Sequence, residues 1–165
     1  MKNMNSAFLE RTKDFDCSWT RGTYMTGHMA HYEASKNATL LAYAEAWGDH
    51  YDWKTCKHDT NANDEAAVQS YVEIARITNN ASRIVPSREI MQEQIAKNDT
   101  TSWWWIDATF MALPAFARMA NYTGDEKFFD QGRMLFEQTA YGKFALWNAD
   151  DNLFWRDDTY VTKKW

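Results

Sequence analysis

The sequence predicts an all-α protein made of stacked helical hairpins, and three observations carry that expectation. Apolar residues recur at helical i, i+3, i+4 spacing in six segments between residues 23 and 139. Strand-type alternation is scarce before residue 143. Segments of like character return at a period near 43 residues, the interval between Asp64 and Asp107, and periods of this size mark helical repeats.

Residues 1–16 read as a helical or irregular lead-in, followed by the polar turn Asp16-Cys-Ser-Trp-Thr-Arg-Gly22. Tyr24, Met25, His28, Met29 and Tyr32 then mark a helix over 23–35, in which Gly27 allows close approach by a neighbouring helix or a ligand. Lys36-Asn37 breaks it, and a second helix over 38–53 carries Leu40, Leu41, Ala44 and Trp47 on its apolar side. After a polar loop, Asn63 or Asp64 caps a helix running to Thr78, with Val68, Tyr71, Val72 and Ala75 as its buried stripe. Pro86-Ser87 opens another helix. The tryptophan-rich stretch from Trp103 to Asn121 reads as one helix kinked or broken at Pro114. The last clear helix spans 126–139, and residues 142–165 read as an irregular rim segment with short strands and a turn at 148–152.

Three units superpose: Thr23–Ala34, Ala67–Thr78 and Ala108–Ala120 each give an apolar helix that leads into a more charged one. A helix apolar all round is enclosed and one charged on one side faces water, so each unit reads as inner helix, turn, outer helix. Such hairpins build either an open solenoid, which binds partners on its concave face, or a closed (α/α) toroid with a central pit. A closed ring of six hairpins needs roughly twice this length. The expected fold is therefore a single domain over 1–165 forming about half of an (α/α)6 barrel, with apolar inner helices left uncovered and self-association a consequence.

Composition removes several functions. The net charge is −5 with no basic cluster, which argues against nucleic acid. No run of 18 apolar residues exists to span a membrane. Residues 1–16 lack the apolar core of an export signal, which favours the cytoplasm. Cys17 and Cys56 are too few and too isolated for a disulfide framework or a metal knuckle, and His28, His31, His50 and His58 show no ligand register, so neither metal nor cofactor is expected. Asn-X-Ser/Thr triplets occur at Asn37, Asn80, Asn98 and Asn121.

Chemistry concentrates at Asp107, which follows three tryptophans and precedes an apolar run. Desolvation favours a neutral carboxylic acid, and a neutral acid donates a proton. Asp64 takes the corresponding place one period earlier, and in a toroid both would open on one mouth, as a two-carboxylate site requires. Trp19 and Trp105 are the candidates for stacking on a sugar ring, since three adjacent tryptophans on a helix point about 100° apart and cannot share a face. Arg21 and Arg156 are candidates to clamp a carboxylate. His58, six residues before Asp64, is a candidate rim contact.

The motifs Asp16-Cys-Ser-Trp-Thr-Arg-Gly22, Asn63-Asp64, Trp104-Trp-Ile-Asp-Ala-Thr-Phe-Met-Ala-Leu-Pro114, Thr123-Gly-Asp-Glu-Lys127 and Leu153-Phe-Trp-Arg-Asp157 resemble those of the unsaturated rhamnogalacturonyl hydrolases, glycoside hydrolase family 105, and of their sister family of unsaturated glucuronyl hydrolases. The resemblance implies an (α/α)6 barrel and metal-free hydration of the C4=C5 vinyl ether of an unsaturated uronyl residue on a lyase-generated oligosaccharide. It assigns Asp107 as general acid/base and Asp64 as the second aspartate. Members of those families continue into a segment like Trp-Ser-Arg-Gly-Asn-Gly-Trp that touches substrate, and this sequence does not contain it. Two carboxylates alone also fit a saturated-sugar hydrolase, and the fold also fits an epimerase. A tetratricopeptide-type scaffold would repeat nearer 34 than 43 residues.

Overall fold

The computed structural model describes Ala7, residues 16–58 and residues 60–161. The expected lead-in lies outside these, apart from Ala7 and Asp16. Helix α1 spans Trp19–Ser35 and starts earlier than its apolar rhythm, because the Ser18 side chain accepts from the Arg21 amide and caps it. Helix α2, Ala38–His50, is capped by Asn37 and stops short of Trp53. There Asp52 and Trp53 take left-handed backbone angles, and the Trp53 ring folds back over Gly48, where an added Cβ would come within 2.4 Å of it.

The helix expected from Asn63 to Thr78 is two pieces, α3 over Ala62–Glu65 and α4 over Val68–Thr78. Its cap is neither Asn63 nor Asp64 but Asn61, whose side chain accepts from the Asn63 amide. Helix α5, Val85–Ala96, has proline in its first turn, where the missing N–H costs nothing. Helix α6 spans Ala108–Thr123 and ends on Gly124 at φ 73, a left-handed stop that glycine adopts without strain. Helix α7, Glu126–Ala140, is capped by Asp125. A small hairpin pairs β1, Trp147–Asn148, with β2, Leu153–Phe154, and a one-turn α8 follows at Asp158–Val161.

The architecture is the expected one. Inner helix α1 packs on α4 and α4 on α6, while α2 and α7 cover α1 and α6 and α5 lies beside α7. This makes half of an (α/α)6 ring. Helix α4 serves two cores at once. Ala67, Tyr71 and Ile74 join Met25, Met29 and Trp47 on the α1 side, while Val68, Val72 and Ala75 join Met91, Trp103 and Phe116 on the α6 side.

The two cysteines form a Cys17–Cys56 disulfide with Cα atoms 5.1 Å apart. This corrects the reading of isolated cysteines. The packing of α1 on α2 returns the chain to its starting end, so a sequence separation of 39 does not mean distance. The bond joins the start of α1 to the turn Cys56–His58 that leads into α3. Among the described residues no helix is long and apolar enough to cross a membrane.

Pro114 lies inside α6 without ending it. Proline has no N–H for the carbonyl four residues back, which frees that of Phe110. The Gln69 side-chain amide of α4 fills the gap, donating to Phe110 O at 3.1 Å and to Met111 O at 2.7 Å. Gln69→Leu should therefore lower stability by about 1–3 kcal/mol, the cost of orphaning buried acceptors; the midpoint of urea unfolding measures it.

His28, only 2% exposed, ties α1 to α2. The Leu40 carbonyl, 2.8 Å from Nε2, can only accept, so Nε2 carries the hydrogen. Nδ1 then accepts from the Tyr24 hydroxyl at 3.3 Å. Burial holds the imidazole below its usual value of 6.5; the Leu40 bond opposes this, and charge on His31 and Arg21 adds to it. An unfolded histidine takes up its proton near 6.5 while the folded one resists, so the stability it contributes is present above that pH and is lost as pH falls through the folded value. The urea midpoint should fall on acidification from about pH 7 to about pH 5, and His28→Asn should flatten that dependence.

Candidate active site at the mouth of the half-ring

Residues 103–107 are not helical, contrary to expectation, because backbone pairing claims them first. The Ile106 amide donates to Arg156 O at 2.9 Å, and Trp105 bridges Asp157 in antiparallel fashion. An extended chain alternates its side chains, so Trp103 is 0% exposed, Trp104 45% and Trp105 4%. The sugar-facing choice among the three is corrected accordingly. Trp105 is core, with no face to offer, and Trp104 is the exposed one of the three, its ring 4.7 Å from that of Trp105. Trp19 is exposed at the start of α1.

The buried acid next to an indole is also not the expected one. Asp107 is exposed at the first turn of α6, where its carbonyl receives the Phe110 and Met111 amides and its side chain makes no capping bond. Glu65 is the fully buried carboxylate, accepting from Trp103 Nε1 at 3.3 Å. Its neighbour Asp64 is buried as well. Sequence reasoning missed Glu65 because its indole partner lies 38 positions away; only its place beside Asp64, ahead of an apolar run, was a signal.

The two aspartates nevertheless stand on packed elements. Helix α3, which carries Asp64, rests on α6, which Asp107 precedes, and Ala62, Ala66, Trp103, Trp105 and Ala108 share one core. Both acids therefore sit at the end where the chain enters its inner helices. The rim hairpin is fixed to the same place through Ile106 and Trp105, and the Trp155 amide donates to Leu146 O. Arg156 thus emerges beside Asp107, its exposed side chain bonded to Asp157. The Thr159 hydroxyl, with the Thr159 amide and Arg156 helping, holds the Asp157 carboxyl below the usual carboxylate range.

Arg21 does not reach open space. It is 1% exposed, its Nε 3.1 Å from Asp16 and an Nη 2.9 Å from the Tyr43 hydroxyl, so its charge is spent inside the fold instead of on a ligand. His58 belongs to the turn packed on α3, and its side chain lies outside the described residues. Cavities of about 210 Å³, between Glu73, Arg76 and Arg118, and about 640 Å³, beside Phe129, lie away from both aspartates. Among the described residues no three His, Cys, Asp or Glu side chains cluster as a metal site would.

Half of an (α/α)6 ring places this chain among the helical toroids. Its sequence belongs to glycosyl hydrolase family 88, which it matches over residues 1–165. That is the sister family in the motif resemblance. The chain is 24% identical over 160 residues to an unsaturated 3S-rhamnoglycuronyl hydrolase of Formosa agariphila, covering 88% of this chain and 42% of that protein. It is 22% identical over 169 residues to one of the same name from Alteromonas, covering 88% and 40%. It therefore spans less than half the length of these curated relatives. Among solved structures it is similar to a family 88 glycosyl hydrolase from Bacteroides vulgatus, with TM-score 0.86, 20% identity and coverage of 94% of this chain and 49% of that one. It is also similar to a chain described as a polysaccharide lyase, with TM-score 0.85, 20% identity and coverage of 96% and 49%.

The alternation of the tryptophans has a direct test. Trp105→Ala should cost about 3–5 kcal/mol in urea unfolding, as large-to-small core changes do. Trp104→Ala should stay within about 1 kcal/mol, as surface changes do.

Proposed function

We propose that this chain carries the acid-bearing half of a hydrolase that removes a Δ4,5-unsaturated uronyl residue from the non-reducing end of lyase-generated oligosaccharides. The observation that carries the reading is the placement of Asp64 and Asp107 at the entrances of adjacent inner helices packed through α3. Asp107 is exposed and so within reach of substrate. It donates its proton to C4 of the vinyl ether, and water adds at C5 as Asp107 takes a proton back. The resulting hemiketal opens, the glycosidic bond breaks, and the leaving sugar departs with its hydroxyl. Asp64, held in α3 that packs on α6, is the second aspartate of the site. Trp19 and Trp104 supply ring faces for sugars, and Arg156 a charge for the uronate.

The motifs point to a rhamnogalacturonyl product of family 105 type, while the names of the curated relatives read rhamnoglycuronyl. Galacturonate and glucuronate differ only at C4, and unsaturation between C4 and C5 erases that centre. Both parent polymers therefore deliver the same terminal sugar, and discrimination falls on the next residue along. The Cys17–Cys56 bond favours an oxidising compartment over the cytoplasm.

The test is the ultraviolet absorbance of the vinyl ether. Unsaturated disaccharide incubated with the chain should lose it, and Asp107→Asn should slow the loss roughly 10²- to 10⁴-fold, the usual share of a general acid. Absorbance that persists with the unaltered chain, or decays equally with the variant, refutes the assignment.

A further inference from the structure

We infer that Glu65 is a positioning residue that sets Asp107 against Asp64, a role that rests on the reaction proposed above. Glu65 is 0% exposed, and no step of that reaction uses it. It follows Asp64 on the four-residue helix α3, where the Asp64 and Glu65 amides both donate to Asn61 O, at 2.9 and 3.0 Å. A single helical turn has too few internal bonds to hold itself in place, so α3 takes its position from what it touches. On one side Gly22 of α1 lies so close to Ala66 that an added Cβ would come within 2.9 Å. On the other, the Glu65 carboxyl accepts from Trp103 Nε1 at 3.3 Å.

Trp103 opens the non-helical segment that ends at Asp107. Its indole is buried edge-on against Phe116, and its carbonyl accepts from the Thr139 hydroxyl of α7 at 2.6 Å. Toward the other end the Ile106 amide donates to Arg156 O, and Asp107 is the next residue. The segment is thus tied to α7, to the rim and, through the indole, to the helix that carries Asp64. The last of these ties relates one aspartate to the other. Ala66 and Ala108 share a core at the same joint, but apolar packing has no direction, whereas an N–H bond to a carboxyl oxygen does. A buried polar group is also costly to leave without its partner, so the pair resists sliding of α3 along the segment.

Two substitutions separate the tie from general stability. Trp103→Phe keeps an aromatic ring against Phe116 and removes the N–H, while Glu65→Gln keeps an acceptor oxygen for it. Amide hydrogen exchange on the 165-residue chain reads the tie without turnover. Relative to Ile74 in the other core, exchange at Ile106 should rise about tenfold in Trp103→Phe, the usual weight of a buried hydrogen bond, and less than about threefold in Glu65→Gln. In the vinyl-ether assay kcat should fall in Trp103→Phe with KM nearly unchanged, because the proton donor is displaced while the sugar contacts remain, and Glu65→Gln should retain most of it. Exchange that rises equally at Ile106 and Ile74, or not at all at Ile106, overturns the inference, as does a raised KM with kcat unchanged. An unaltered chain that leaves the vinyl ether intact refutes the reaction alone, and the exchange contrast still decides whether Glu65 fixes Asp107 to Asp64.

Discussion

An inner helix that is apolar all round has to be covered on both flanks, and α4 is the one that is. Its Tyr71 and Ile74 face the α1 side while Val72 and Ala75 face the α6 side, so two cores meet through a single helix. Among the described residues, Trp19 at the start of α1 and Phe110 of α6 are exposed. Near Asp107 the indole neighbours turn alternately in and out, and among the described residues its own side chain is exposed.

Helix positions were legible because the apolar rhythm is local, and their ends shifted where a capping side chain such as Ser18 or Asn61 took over. The tryptophan run was misread for the opposite reason. Trp103 to Asp107 continues the apolar character of α6, so nothing nearby distinguishes the extended segment from the helix. The strand-like form comes from pairing with Arg156 and Asp157, about fifty positions later, and from the Trp103 bond to Glu65. Pro114 was half legible. The missing N–H is written in the sequence, while its remedy, the Gln69 amide, comes from another helix. The disulfide was illegible because its partners meet only after α1 and α2 have packed.

Environment divides the two aspartates between roles that sequence symmetry would leave equal. Asp64 is buried within a helix fixed by the Asn61 cap and by packing on α6. Asp107 stands at the joint between a paired strand segment and a helix, with its backbone engaged and its side chain uncommitted to the cap. In the proposed reaction the group that meets a substrate atom needs access first, and of the two aspartates Asp107 is the exposed one. On the proposed reading, Asp64 is held in place by its helix while Asp107 is presented at the surface, a division that packing sets and the sequence period does not.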